Sequence, residues 1–372
     1  MDLQGQNGLL STYREGYRAR GPLAWLVAAS LVGFYTVLYW EDRLSASLGR
    51  PLTTVAEALH LRNRWYLYGF LYCVAMLAGG AYYLRRHGNS RYNRVRIAVN
   101  VTVQVVLGFT LPFVMPLFDG PEFYFSYFWP LKYDYLYPQT LVQLPTYLSV
   151  YAVLGSVVAA PALSYFFGKR WYCSWVCGCG GLANTFGDPY RHLTSKSSAA
   201  WRFEKVSIHT VLVIALVATA LVAADFFWGE SNPRLHALAT GGPLSVKELY
   251  GFVVGSVLAG VVGTGLYPLL GPRSWCRNFC PMAALLGLVQ KLGRYRITVK
   301  PDMCISCGNC STYCEMGIDV RAYAQRNESF TRASCVGCGM CAHMCPRGVL
   351  KLENSTAPRR TEGARSLPIV SG

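Results

Sequence analysis

Long apolar runs alternate with short polar, arginine-bearing segments along this chain. Six runs are close to or longer than the roughly 20 residues a helix needs to cross a bilayer. They cover residues 22–40, 65–84, 97–118, 140–167, 207–228 and 249–270. So many runs in one chain argue against the buried helices of a soluble protein. The first run is long, ends in Tyr39 and Trp40, and has no small-residue cleavage pattern behind it, so it reads as a retained span. The pattern predicts an α-helical polytopic membrane protein with about six transmembrane helices over residues 22–294. Residues 295–355 are rich in cysteine, and residues 356–372 have little to bury and read as a disordered tail.

Charge placement changes the picture more than charge total. The chain of 372 residues has a formal net charge of +16, which by itself suggests a nucleic-acid surface. With the N-terminus inside, however, segments 1–21, 85–96, 169–206 and 271–372 hold 28 of the 35 Lys and Arg. The basic residues therefore read as a positive-inside topology signal, and no nucleic-acid partner is expected. The expected location is a bacterial-type inner (cytoplasmic) membrane, with both termini on the cytoplasmic side. Thirteen of the 14 cysteines fall in those cytoplasmic segments. That compartment is reducing, so metal binding is favoured over disulfides. The fourteenth, Cys73, lies within the second run and reads as a small packed hydrophobe.

The strongest motif follows the last run. Residues 304–314 read CISCGNCSTYC and residues 335–346 read CVGCGMCAHMCP. Both follow C-x2-C-x2-C-x3-C, the two-cluster ferredoxin spacing, in which the fourth cysteine of each run ligates the other cluster. Cys304, Cys307, Cys310 and Cys345 are thus the expected ligands of a first [4Fe-4S] cluster, and Cys335, Cys338, Cys341 and Cys314 those of a second. Gly308, Gly337 and Gly339 allow close backbone approach. The domain is expected to be a ferredoxin-like α+β unit spanning 295–355. One departure stands out: Glu315 follows Cys314 where Pro346 follows Cys345, and it is expected to alter local geometry more than ligation. In the linker between the runs, Arg321, Arg326 and Arg332 are either an ordinary solvated face or a docking face for an acidic partner.

An internal repeat lies upstream. GKRWYCSWVCG begins at 168 and GPRSWCRNFCP at 271, a constant offset of 103 residues. Gly168, Arg170, Cys173 and Cys177 match Gly271, Arg273, Cys276 and Cys280. The duplicated units span 168–188 and 271–291. Cysteines four apart on one helix share a face. If the units pack as a pseudo-twofold pair, Cys173, Cys177, Cys276 and Cys280 converge into a soft-metal site, for copper or a third cluster. Cys179 has no match in the second unit and is a spare or substitute ligand.

These motifs together resemble the membrane-bound polyferredoxin family. That family includes the quinol dehydrogenase subunit of periplasmic nitrate reductase, the nitrous oxide reductase electron-donor protein and the cytochrome oxidase copper-assembly protein. The resemblance covers about residues 140–355. It implies membrane electron transfer, with quinol oxidation or cupric reduction as family roles and a redox protein as partner. Gly178 stands where the family usually has proline. The expected function is electron transfer between the quinone pool or a membrane redox partner and a respiratory or reductive partner. An electron-transfer subunit fits better than a stand-alone enzyme. A copper-reducing assembly factor and a redox-sensing regulator are the competing readings. A transporter fits less well, because no span carries a central charged pair.

The remaining chemistry is weaker. None of the six histidines sits mid-span and no C-x-x-C-H occurs, so haem is not expected. His209 opens the fifth run and His343 lies inside the second cysteine run, where it is a candidate to tune a cluster. The aromatic loop DGPEFYFSYFWPLKYDYLYP reads first as an interfacial belt. A quinone pocket with Asp119, Glu122 or Asp134 as proton acceptor is the sharper reading.

Overall fold

The computed structural model describes residues 21–354. The expected N-terminal cytoplasmic segment, apart from Gly21, and the expected disordered tail lie outside the described residues. Among the described residues, five helices are long and apolar enough to cross a membrane. They are α1 (Gly21–Leu48), α2 (Arg64–His87), α3 (Arg91–Phe118), α4 (Thr146–Phe167) and α5 (Ser198–Trp228). The sixth run behaves differently. It is helical over 246–262 (α6), turns at 263–266, and resumes as the single turn Tyr267–Leu270. Among the described residues the fold is therefore mostly helical, with five candidate spans and the sixth run divided into a helix over 246–262 and a further helical turn.

Local sequence explains the irregularities. Pro112 and Pro161 lack the N–H that would bond one turn back, and each follows a π-helical stretch, Val106–Thr110 in α3 and Gly155–Ala159 in α4. Pro145 ends a short helix, Pro138–Gln143, and sets the start of α4. In α6 the run GFVVGSVLAGVV is glycine-rich, and its glycines admit close neighbours. A Cβ on Gly260 would lie 2.5 Å from the Tyr39 ring of α1, and one on Gly263 would lie 2.7 Å from Trp275.

After the second cysteine unit, helix α7 (Pro281–Leu292) packs against α4 and α5 and carries the chain out of the bundle. Strand β1 (Tyr295–Val299) follows at once. It pairs antiparallel with β2 (Leu350–Asn354), with Tyr295 opposite Asn354 and Val299 opposite Leu350. The two strands close a small domain whose cysteine runs lie between them, each containing a one-turn helix, α8 (Asn309–Thr312) and α10 (Met340–His343), with α9 (Val320–Gln325) in the linker.

This domain is fastened to the bundle by buried polar contacts. Arg277 Nε donates to Glu204 Oε2 at 2.8 Å, and its Nη1 donates to the Ser195 carbonyl at 2.6 Å. Ser334, the residue before Cys335, donates to the other oxygen of Glu204. Both charged side chains are buried. A buried pair that loses one member strands the other, at a cost of about 3–5 kcal/mol. Glu204→Ala is therefore expected to lower the unfolding temperature and open the 293–335 region to protease. Unchanged melting and protease resistance would rule out this fastening.

Candidate metal centres

The eight ferredoxin cysteines form two groups around two cavities. Cys304, Cys307, Cys310 and Cys345 line the first, with Ile305, Arg321, Pro346 and Arg347. Cys314, Cys335, Cys338 and Cys341 line the second, with Glu315, Met316, Ile318 and Val320. These are the two sets grouped by spacing. The halves are built alike. Gly308 and Gly339 both sit at φ +80, where a side chain would be strained, and they start α8 and α10. Ile318 N–H donates to Cys314 Sγ and Val349 N–H to Cys345 Sγ, each at 3.4 Å and each four residues on. Four thiols with backbone donors around an apolar cavity form a donor set that suits an iron–sulfur cubane. Among the described residues no three His, Cys, Asp or Glu side chains converge on a single-ion site.

The two cavities differ in exposure. Cys307 and Ile305 of the first are exposed, whereas Cys335 and Cys341 of the second are buried. The second cavity faces the bundle. Ser174 Oγ donates to the Val336 carbonyl at 2.7 Å, and Tyr92 Oη donates to the Gly337 carbonyl at 2.7 Å. Tyr295 Oη lies 3.6 Å from Cys335 Sγ, and Arg170 stacks over the Tyr295 ring at 4.9 Å.

The duplicated units share one backbone plan. Gly168 and Gly271 have φ +72 and +91 with ψ near 165, a region open to glycine alone. A Cβ on Gly168 would lie 2.6 Å from Tyr295, and one on Gly271 would overlap Thr194. Each unit then makes one short helix, Arg170–Cys173 or Ser274–Asn278, breaks, and starts a second helix with its second cysteine as N-cap. The expectation that paired cysteines share one regular helix is therefore corrected, since the chain turns between them. Cys177 N–H bonds the Tyr172 carbonyl at 2.7 Å, and Cys280 N–H bonds the Trp275 carbonyl at 3.0 Å. The neighbouring Cys179 side chain together with burial pushes the Cys177 thiol well above the ordinary thiol range, and burial does the same to Cys280. Cys280 Sγ accepts from Ala283 N–H at 3.4 Å.

All four thiols are buried in one cluster, and Cys280 lies within electrostatic reach of Cys173, Cys177 and Cys276. Burial pushes Cys173 and Cys276 up to about 11, so without a metal they hold their protons. Cys179 stands beside Cys177 and within electrostatic reach of Tyr35, Tyr72, Tyr127 and Tyr267.

Glu315 has a role that sequence reading missed. It is fully buried, with Oε2 2.6 Å from Arg191 Nη1 and Oε1 3.0 Å from Arg273 Nη2. Arg191 lies three residues beyond the first unit and binds Asp188, the unit's last residue, at 2.6 Å. Arg273 comes from the second unit and donates to the Cys173 carbonyl at 3.1 Å, with Nη1 3.7 Å from Cys276 Sγ. One carboxylate beside a cavity cysteine thus ties both units to the ferredoxin domain. Burial alone would raise the Glu315 carboxyl, but Arg191 and Arg273 outweigh it and hold it below the ordinary carboxylate range. The signal available in the sequence was Cys-Glu in place of Cys-Pro, with two arginines upstream to receive it. Arg170, the match to Arg273, is spent differently, on Asn354 at 3.1 Å.

Other expectations sort as follows. The aromatic loop is not a surface belt: Phe123, Ser126, Phe128, Trp129, Tyr135 and Tyr137 are buried. It folds back into the bundle until the Ser126 carbonyl accepts from Tyr172 Oη, next to Cys173, at 3.1 Å. Irregular backbone at that depth is tolerated because protein surrounds it. Glu122 accepts from Tyr66 and Tyr124, and Asp134 pairs with Lys132 at 3.1 Å. Asp119 adopts a left-handed conformation at the end of α3. His209 contacts its own helix at the Lys205 carbonyl, and His343 packs edge-on to His87 at 5.5 Å. Cys73 is buried within α2.

Glu315→Gln should destabilise the protein by about 3–5 kcal/mol, because two buried guanidiniums lose their counter-charge. Glu315→Pro restores the ferredoxin spelling but not the charge, and should fall as far. Thermal unfolding checks both. Wild-type stability in the proline variant would mean that local backbone geometry, not the ion pair, is what matters.

Comparison with known proteins agrees with this geometry. A 4Fe-4S dicluster domain matches residues 303–350. A 4Fe-4S binding domain matches twice, at 149–197 and 253–300, once over each duplicated unit. The chain is 25% identical over 183 residues to YccM of Escherichia coli, named for electron transport, covering 48% of this chain and 49% of that one. It is 29% identical over 172 residues to the methylamine utilization ferredoxin-type protein MauN of Methylobacillus flagellatus, covering 45% and 56%. It is 26% identical over 165 residues to the ferredoxin-type protein NapH of Escherichia coli, covering 44% and 53%. The chain thus spans about half the length of these curated relatives. No solved structure matches it significantly. The matched domains, the cysteine-lined cavities and the apolar helices lead to one conclusion: this chain carries 4Fe-4S ferredoxin domains on a set of apolar helices and is homologous, over somewhat less than half of its length, to YccM, MauN and NapH.

Proposed function

We propose that the chain conducts electrons between the membrane and a partner on the cytoplasmic side through three cysteine-held sites in series. Cys173, Cys177, Cys276 and Cys280 form the membrane-edge site. Cys314, Cys335, Cys338 and Cys341 form the middle site, and Cys304, Cys307, Cys310 and Cys345 the outermost. A [4Fe-4S] cluster in each would supply one-electron redox chemistry.

The observation that carries this reading is the order of the sites. The buried cavity lies against the first cysteine unit through Ser174 and Val336, and the exposed cavity lies beyond it. The protein's own residues keep the path dry and rigid. Arg273 holds the Cys173 carbonyl, reaches Cys276 Sγ and ion-pairs with Glu315, which spans the step between the membrane-edge and middle sites. Iron–sulfur occupancy of the membrane-edge site is favoured over copper because the 4Fe-4S binding domain matches both units that supply its thiols.

The membrane-side carrier in this reading is quinol, as the family resemblance implies. In this reading the ferredoxin domain faces the cytoplasm, which the positive-inside distribution of Lys and Arg supports. Two experiments test these claims. In anaerobic detergent-purified protein, duroquinol should reduce the clusters of the wild type, as read by EPR. In the Cys276→Ala/Cys280→Ala variant, dithionite should still reduce the ferredoxin pair while duroquinol no longer does. Unimpaired quinol reduction in the variant would remove the membrane-edge site from the path. For orientation, a green fluorescent protein fused at the C-terminus should fluoresce in a bacterial host. An active alkaline phosphatase fusion at the same point would reverse the assigned topology.

A further inference from the structure

We infer that the rim of the outermost cavity is a docking face for an acidic one-electron redox protein. This rests on the reading of that cavity as a redox site, and it adds where the partner binds and what its surface carries.

Three observations converge on the rim. First, access: Cys307 is exposed and Ile305 is 56% exposed, while the cysteines and apolar residues of the middle cavity are mostly buried. An electron passing to a soluble protein therefore has its shortest way out at Cys307. Second, charge: Arg321 and Arg347 both line this cavity and both are exposed, and no carboxylate lines it. The middle cavity has the opposite character, with Glu315 in its wall. Third, freedom: among the described residues neither guanidinium makes a side-chain hydrogen bond or ion pair, although the Arg321 backbone N–H binds Ser311.

The other basic residues of the linker are already engaged. Arg326 pairs with Glu328 at 3.3 Å and stacks on Tyr323, and Arg332 stacks on Trp201 at 4.5 Å. The docking face suggested by the linker arginines thus reduces to Arg321, and Arg347 joins it from beyond the second cysteine run.

An apolar contact ringed by unpaired guanidiniums suits a partner whose own redox centre is ringed by Asp and Glu. Guanidiniums bind carboxylates through paired donors, and charge complementarity raises the encounter rate. The exchange transfers one electron, oxidising one side and reducing the other, with no bond or proton change.

The test uses two small one-electron acceptors of opposite charge, acidic plastocyanin and basic cytochrome c, with the full-length protein in nanodiscs. The wild type, reduced with dithionite and freed of excess, should reduce plastocyanin fastest at low salt. That rate should fall several-fold by about 0.15 M salt, where the Debye length is about 8 Å. Arg321→Glu/Arg347→Glu should slow plastocyanin about tenfold at low salt and speed cytochrome c. Redox-inert zinc-substituted plastocyanin should bind the wild-type nanodiscs and lose that binding with the variant. The milder Arg321→Gln/Arg347→Gln should fall between.

EPR of each sample separates the failures. No cluster signal in the wild type would overturn the redox reading beneath the proposal. Normal signals with equal effects on both acceptors, no effect on either, or a shifted cluster midpoint potential without lost zinc-plastocyanin binding would overturn the docking face.

Discussion

A single buried carboxylate holds the molecule's two halves in register. Glu315 leaves the ferredoxin domain one residue after a cavity cysteine and meets two guanidiniums, Arg191 just past the first duplicated unit and Arg273 within the second. An unpaired charge at that depth would be costly, so the three groups specify one another's positions. Arg191 is held by Asp188, which also binds His87 at the end of α2, and Arg273 is held by Asn184 and the Cys173 carbonyl. The ion pair therefore links α2, both units and the middle cavity. Arg191 hydrogen-bonds one Glu315 oxygen and Arg273 faces the other as an ion pair, so opposite charge on both sides offsets the desolvation, and what the network secures is geometry.

The duplicated units are best understood as two copies of a turn that ends in a cysteine at a helix start, whose thiol caps the helix in the second copy. Glycine at positive φ lets each unit turn sharply off its apolar helix. The short helix that follows presents the first cysteine, and the next helix starts on the second. The same plan serves two surroundings: Gly168 opens onto Tyr295 of the ferredoxin domain, and Gly271 onto Thr194, six residues past the first unit. The copies have diverged where they touch the ferredoxin. Arg273 is buried in the ion pair, while Arg170 lies at the surface over Tyr295.

Much of this was legible in the chain. Cysteine spacing is a local constraint, and the eight residues it groups are those that line the two cavities. Apolar runs mark the five candidate spans among the described residues because span length is a one-dimensional property. The rest depends on contacts far apart in sequence. The run at 249–270 is apolar throughout in the sequence, whereas the structure turns at 263–266 and packs Tyr39 and Trp275 against Gly260 and Gly263. The C-x3-C spacing suits one helix face, yet the break between the cysteines comes from glycine and packing, which spacing does not encode. The aromatic loop looked interfacial because aromatics favour interfaces, but its rings fill the space above Tyr172. The partners of Glu315 lie 124 and 42 residues away.

The claim on which the rest stands is that the membrane-edge thiols hold a third cluster in line with the ferredoxin pair. Counting iron, acid-labile sulfide and copper per chain in anaerobically purified protein tests it most directly, with the Cys276→Ala/Cys280→Ala variant measured alongside. Three cubanes predict about twelve irons in the wild type and about eight in the variant, with sulfide in step and no copper. About eight irons in both, or copper lost with the two cysteines, would contradict the account and return the membrane-edge thiols to another chemistry.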